Sequence, residues 1–298
     1  RQAQLLTALE QPAEPASTFS LTAPFGADQS RSQYAAAFER IQQYIHAGDC
    51  YQINLAQRFS ATFSGDPLEA YTRLRERSPT PFSAYLEIPG GALLSLSPER
   101  FIEVREGRVE TRPIKGTRPR GQSADEDHAL AQELLGCNKD RAENLMIVDL
   151  LRNDLGRSCQ PGSIRVPELF SLESYPNVHH LVSSVTGQLR DDCDAIDLLM
   201  RAFPGGSITG APKIRAMQII EELEPVRRSL YCGSVGYLGC EGQMDFNIAI
   251  RSLICHGQRI HCWGGGGIVA DSVMELEYQE TLTKVGNLLN TLQPACPF

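Results

Sequence analysis

The sequence predicts an α+β fold, in which blocks of antiparallel strands are layered against blocks of helices. Three observations predict it. Four strand-like segments, FSAYLEI, ALLSLS, RFIEVRE and RVETRPI, follow one another over residues 82–114. Pro89-Gly90-Gly91, Pro98 and Glu106-Gly107 separate them as turns. A second strand group, CGSVGYL, DFNIAIRSLIC and RIHCW, comes only after a long helical stretch. The strict strand–helix alternation of a doubly wound sheet is absent.

Residues 1–30 are rich in Ala, Pro, Gln and Ser without a period, and read as a linker or the remnant of a truncated segment. A chain that starts at Arg1 rather than Met is expected to have lost an N-terminal part. Tyr34, Phe38, Ile41, Tyr44 and Ile45 recur at helical spacing, and Gly48 stops the run. A strand is expected over 51–63 and a helix over 68–77. Helical patterns follow at 125–135, 140–154, 195–203 and 211–223. His256-Gly257-Gln258 turns the last hairpin, and a helix over 273–292 ends the pattern. No linker-like stretch divides residues 31–293, so they form one domain, with 294–298 as a tail.

The bulk properties exclude several classes. With 42% hydrophobic and 21% charged residues the composition is that of a soluble globular protein. No apolar run approaches the roughly 20 residues of a membrane helix. A net charge of −8 opposes general nucleic-acid binding. The cysteine count of nine is odd, without a CxxC pair, which suits a reducing cytoplasm.

Local charge is therefore informative. TRPIKGTRPR (111–120) gathers Arg112, Lys115, Arg118 and Arg120, starting at a strand end and running into a loop. Lys115 lies between Ile114 and Gly116; partial burial and neighbouring arginines both favour an uncharged amine, as a nucleophile needs. A solvated lysine is the alternative. PGGSITGAPK (204–213) and WGGGGIVADS (263–272) are glycine-rich loops, read either as tight connections or as anion cradles. Asp140 with Glu143, and Glu277 with Glu280, are i, i+3 pairs, each on one helix face. Facing each other they would offer four carboxylates to Mg²⁺; taken singly they are capping and ion-pair patterns. Glu99, after Pro98, sits at a strand boundary where it escapes full burial and works as an acid, or forms a surface pair. Arg251, in the apolar strand NIAIRSL, calls for a carboxylate partner. Of His179 and His180 at most one faces a site. Together these suggest an enzyme for a small dicarboxylate, held by Mg²⁺ and arginines.

YQINLAQ, SPERF, PIKGTRPR, KDRAENLMIVDLLRND, HHLVS, GGSITGAPK, GYL, IAIR, GGGIVADS and ELEYQET occur in this order. In these motifs the chain resembles the chorismate-utilising family, the synthase components of anthranilate and aminodeoxychorismate formation, over about residues 30–292. The resemblance implies two large, mostly antiparallel sheets packed as a sandwich flanked by helices. It implies Mg²⁺-dependent, transaminase-type transfer of ammonia to chorismate. The PIKGT form is that of the branch making 4-amino-4-deoxychorismate; anthranilate-forming members typically carry PIAGT. Anthranilate chemistry, or chorismate binding without turnover, are the alternatives. In the implied mechanism Lys115 attacks C2 of chorismate while the C4 hydroxyl, protonated by Glu99, leaves. Ammonia then adds at C4 and expels the lysine. The resemblance implies Glu143 and Glu280 as Mg²⁺ ligands supported by Asp140 and Glu277. Arg251, Tyr231 and Gly265, Gly266 and Gly267 would hold the enolpyruvyl carboxylate, and His180 and Thr209 would lie against the ring. Lys213 and Lys284 would be outer contacts. Gln52 and Gln57 flank the place where isochorismate- and salicylate-forming relatives keep a lysine. The ammonia would come from a separate glutamine amidotransferase subunit. A pyridoxal-phosphate lyase would convert the product to 4-aminobenzoate, the folate precursor.

Overall fold

The computed structural model describes residues 17–176 and 178–293. In chain order the elements are β1 (Ser20–Ala27), α1 (Arg31–His46), β2 (Gln52–Ser64), α2 (Pro67–Arg77), β3 (Phe82–Ile88), β4 (Gly91–Ser97), β5 (Arg100–Arg105), β6 (Arg108–Arg112) and β7 (Ile114–Pro119). Then come α3 (Ala124–Gly136), α4 (Asn138–Gly156), β8 (Arg165–Ser174), β9 (Val178–Gln188) and α5 (Ala195–Ala202). A 3₁₀ turn at Gly206–Ile208 precedes β10 (Gly210–Ala211), α6 (Lys213–Leu223), β11 (Gly236–Leu238), β12 (Met244–Asn247), β13 (Ser252–His256), β14 (Arg259–Ile268) and α7 (Met274–Leu292). Helix starts follow local chemistry. Ser30 and Gln33 form a capping box at α1, and Asp66 caps α2 just before Pro67.

Two antiparallel sheets result. One runs β1-β2-β14-β13-β4-β3 with β10 beside β2, and the other runs β11-β12-β5-β6-β9 with β7 and β8 also on β9. The largest core joins them: Phe101, Ile102, Val109 and Val185 of the second sheet share it with Ala56 and Trp263 of the first and with Ile147, Val148 and Leu151 of α4. A second core packs α2 and α7 on the first sheet, and a third packs α1 and α6 against β2.

The sheets are joined at one seam. β4 belongs to the first sheet and β5 to the second, and the chain crosses between them at Pro98-Glu99. After a brief return to the first sheet at β10, it crosses there again between β12 and β13, over residues 248–251. The two crossings bond each other: Ile248 N–H donates to Glu99 C=O at 3.0 Å, and Leu96 N–H to Arg251 C=O at 3.0 Å. Both Glu99 and Arg251 therefore stand at the seam.

Several expectations are corrected. Ser20–Ala27 is a strand pairing with β2, not linker; residues 1–16, Cys296 and the 294–298 tail lie outside the described residues. TRPIKGTRPR is not a loop. β6 and β7 run along β9 in succession, interrupted at Pro113, which has no N–H to donate. Gly116 adopts φ +87° there, and a Cβ would meet Asp140 Cγ at 2.9 Å, so this bulge needs glycine. DFNIAIRSLIC is two strands in different sheets. The 263–272 glycine run is not a loop either: Gly264–Gly267 continue β14 and pair with Asn54–Gln57 of β2. β8 and β9 complete the second sheet, and β9 carries both His179 and His180.

The glycine run is a strand because neighbours come close on both faces. A Cβ on Gly264 would lie 2.5 Å from Thr281 O of α7, and one on Gly265 would lie 2.7 Å from Tyr231 Oη. Gly264→Ala is thus expected to push α7 off the sheet and cost about 1–3 kcal/mol. Urea unfolding checks this; an unchanged midpoint would refute the packing.

Candidate functional site

The site builds outward from the seam. Glu99 is buried, 5% exposed, where a strand-edge glutamate was expected to escape burial. Ser207 Oγ donates to its Oε1 at 2.9 Å. Burial pushes its pKa up from 4.5 to about 6, against the opposing pull of Lys115 and the Ser207 hydrogen bond. A carboxyl group poised there exchanges a proton near neutral pH.

Lys115 reaches the same place from β7. Its Nζ lies 3.4 Å from Ser207 O. The expected crowding by arginines is not what surrounds it. Arg112 pairs with Glu110, Glu168 and Glu173; Arg118 with Glu133 and Asp140; Arg120 with Asp127. Protein carboxylates consume the charge of these three arginines. Lys115 instead acts electrostatically on Glu99, Glu143 and Glu280.

Helices α4 and α7 bring three of the four predicted carboxylates together. Lys139 of α4 lies 4.0 Å from Glu143 and 3.5 Å from Glu277 of α7. A Cβ on Gly266 would meet Glu277 Oε2 at 3.2 Å and Glu280 Oε1 at 3.4 Å. Burial raises the Glu143 pKa, and the negative charges of Glu280 and Glu277 add to the rise. Burial also acts to raise Glu280, but its ion pair with Lys284 prevails and lowers it. Asp140 turns away to Arg118, 3.4 Å distant. Among the described residues no three acidic, histidine or cysteine side chains converge closely enough to ligate one ion. The oxygen-only set of Glu143, Glu277 and Glu280 nevertheless has the chemistry a hard divalent cation takes.

The glycine strand forms the opposite wall. The N–H groups of Ala56 and Asn54 bond Glu224 and Thr209 rather than β14. The residues opposite them, Gly265 and Gly267, therefore point their own N–H and C=O groups away from β2. β13 begins at Ser252 and leaves that edge open; Lys284 Nζ donates to Gly265 O there at 2.9 Å. Tyr231, buried at 5% exposure, sets its hydroxyl against Gly265. Burial lifts that phenol well above its ordinary pKa, so it stays a neutral donor. Gln52 lies against Gly267, fully buried, with neither amide atom partnered. Gln57 instead faces Thr281, to which its amide donates.

Arg251 differs most from expectation. It lies at a crossing rather than in a strand, with φ +48°, and among the described residues it forms no ion pair with a carboxylate, although the charge of Glu99 acts on it. A non-glycine residue in the left-handed region at a site is strain retained for position. His180 is the histidine that faces the seam: burial, then the charge of Arg251, lowers its pKa to about 4, so it is neutral. Its Nδ1 shares a 2.9 Å hydrogen bond with Thr117 Oγ1. His179 faces Asp127. Thr209 is buried and donates to Gly205 O at 3.0 Å. Lys213 is committed elsewhere, to Asp154 at 2.7 Å. Sequence reasoning missed Ser207 and Lys139; the one lies within a motif already noted, the other one turn before Glu143.

Known proteins resemble the chain over most of its length. A family model described as chorismate binding enzyme matches residues 1–290. Aminodeoxychorismate synthase component 1 of Klebsiella aerogenes is 55% identical over 292 residues, 98% of this chain and 65% of that protein. Anthranilate synthase component 1 of Aquifex aeolicus is 45% identical over 266 residues, covering 89% of this chain and 54% of the relative. The crystal structure of anthranilate synthase component I from Streptococcus pneumoniae superposes with a TM-score of 0.86 at 37% identity, over 96% of this chain and 64% of that one. The chain thus spans less than two thirds of the length of these relatives. Among the described residues no helix is long and apolar enough to cross a membrane.

The burial of Glu99 has a measurable consequence. A carboxyl group with a native pKa near 6 holds its proton more tightly when folded than at its ordinary 4.5. The penalty for ionising it is absent below about pH 4.5, grows up to about pH 6 and is constant above, reaching about 2 kcal/mol. Glu99→Gln, which cannot ionise, should gain stability relative to the parent by that amount between pH 4.5 and 7. A stability difference independent of pH, by denaturant unfolding, would contradict the shift.

Proposed function

The chain belongs to the chorismate-binding enzyme family, and from that premise we propose that it converts chorismate and ammonia to 4-amino-4-deoxychorismate. The observation that carries the reading is Lys115 beside Ser207, acting on Glu99 at the seam. An amine and a carboxyl group with a pKa near 6 are what displacement of a ring hydroxyl requires.

Lys115 Nζ attacks C2 of the ring as the C4–O bond breaks, and Glu99 gives its proton to the departing oxygen. The double bond shifts, the hydroxyl leaves as water, and the substrate is held covalently. Ammonia adds at C4, the double bond returns, and the C2–N bond of the ammonium adduct breaks to release Lys115 as the neutral amine; the new C4 ammonium returns a proton to the Glu99 carboxylate. Two easier displacements replace one hard one. Tyr231, Arg251 and the open backbone edge of Gly265 and Gly267 hold the enolpyruvyl carboxylate. His180, neutral, and Thr209 border the ring. Burial of Glu99 keeps water from the proton it delivers. Glu143 and Glu280, supported by Glu277, would hold Mg²⁺; the ion supplies positive charge to the ring carboxylate. Asp140 serves β7 instead. The name component 1 borne by relatives supports a second, amide-hydrolysing subunit as the ammonia source.

Incubating the protein with chorismate, ammonium and Mg²⁺ and identifying the product by mass spectrometry and chromatography tests the reading. 4-Amino-4-deoxychorismate is expected; an ortho-aminated aromatic product would assign anthranilate chemistry, and no consumption would refute both. Lys115→Ala should lower product formation by about 100-fold or more, and near-normal turnover would remove the nucleophile. Glu143→Gln and Glu280→Gln should each raise the Mg²⁺ concentration for half-maximal rate by about 10-fold or more; an unchanged titration would exclude them as ligands.

A further inference from the structure

Between β1 and β10 the outer edge of β2 has no strand neighbour, at Asn54–Ala56. A side-chain ion pair fills the gap. Glu224 Oε1 accepts the Ala56 N–H at 2.8 Å, and an Arg228 Nη donates to the Asn54 carbonyl. The same guanidinium grips Glu224 with two hydrogen bonds, at 2.8 and 2.6 Å. It donates to the Ile208 carbonyl at 3.0 Å, one residue before Thr209, and stands 5.7 Å over the Tyr231 ring. Little of either side chain meets solvent, 13% for Arg228 and 5% for Glu224.

Resting on the chorismate reading above, we infer that Glu224 and Arg228 are positioning residues, which hold Thr209, Tyr231 and the β2 edge in substrate-binding register. Apart from an Arg228 Nη contact to Cys232 Sγ at 3.5 Å, their bonds end on groups that support the site. Ile208 C=O fixes the turn that presents Thr209. Asn54 and Ala56 stand opposite Gly267 and Gly265. Tyr231, whose hydroxyl touches Gly265, is stacked on Trp263 at 6.3 Å with ring planes 7° apart. Only a planar five-donor cation can serve two carbonyls, a carboxylate and a ring face from one position. A lysine keeps the charge and loses the fork.

Trp263 is the chain's single tryptophan and is 3% exposed, which gives a readout that needs no substrate. Arg228→Lys and Glu224→Gln are expected to raise acrylamide quenching of Trp263 about twofold, and to raise the chorismate KM about 10-fold or more while leaving the ammonium KM unchanged. Measurements are made on protein shown to be folded by circular dichroism, well below its Tm. Arg228→Lys carries the comparison should Glu224→Gln fail to fold. A drop in Tm with quenching and chorismate KM unchanged would mark a purely structural pair and overturn the inference. Failure of the chorismate reading would look different: the parent protein would show no chorismate turnover, while the quenching comparison would still decide whether the pair holds Tyr231.

Discussion

One lysine side chain set among carboxylates constrains this molecule. Lys115 comes from a strand of the second sheet, Glu99 from the crossing between sheets, Glu143 from α4 and Glu280 from α7. Acidic groups gathered this closely repel one another, and burial raises the cost of their charge. Lys115, Lys139 and Lys284 offset that repulsion, and the fold must deliver all of them to one seam. The two sheets exchange strands there because Pro98 cannot continue a ladder and Arg251 turns the chain through the left-handed region.

The wall of glycines follows from the same constraint. Gly264 and Gly266 face α7, which carries Glu277 and Glu280; Gly265 and Gly267 face Tyr231 and Gln52. Side chains on that strand would hold the helix and its carboxylates away from the seam. The alternating pleat thus lets one strand pack tightly on both faces while its free edge stays open to a ligand. Features that cost stability concentrate here: a buried carboxylate at Glu99, strained backbone at Arg251 and an unpartnered amide at Gln52. Away from the seam, α1, α2, α3 and α5 start on side-chain caps and the second and third cores are built of apolar residues.

Much of this was legible in the amino-acid order. The helix of Tyr34, Phe38 and Ile41, the four strands of residues 82–112 and the carboxylate pairs at i, i+3 follow from periodicity, and ten ordered motifs pointed to the family. Local pattern failed where tertiary pairing decides. Four consecutive glycines look like a loop until β2 supplies a partner. TRPIKGTRPR looks like a basic loop until β9 pairs with it and Glu133, Asp127 and Glu173 neutralise its arginines. Arg251 reads as strand because the segment is apolar on both sides of a sheet crossing. The Glu224–Arg228 pair carries no signal beyond helical i, i+4 spacing, since its partners are backbone groups distant in sequence.

The most direct measurement is peptide mapping of protein quenched in acid during turnover. A modification equal in mass to chorismate less one water, confined to the peptide that contains Lys115, is what this structure demands. Steady product formation with that peptide unmodified, or with the adduct on another side chain, would contradict it.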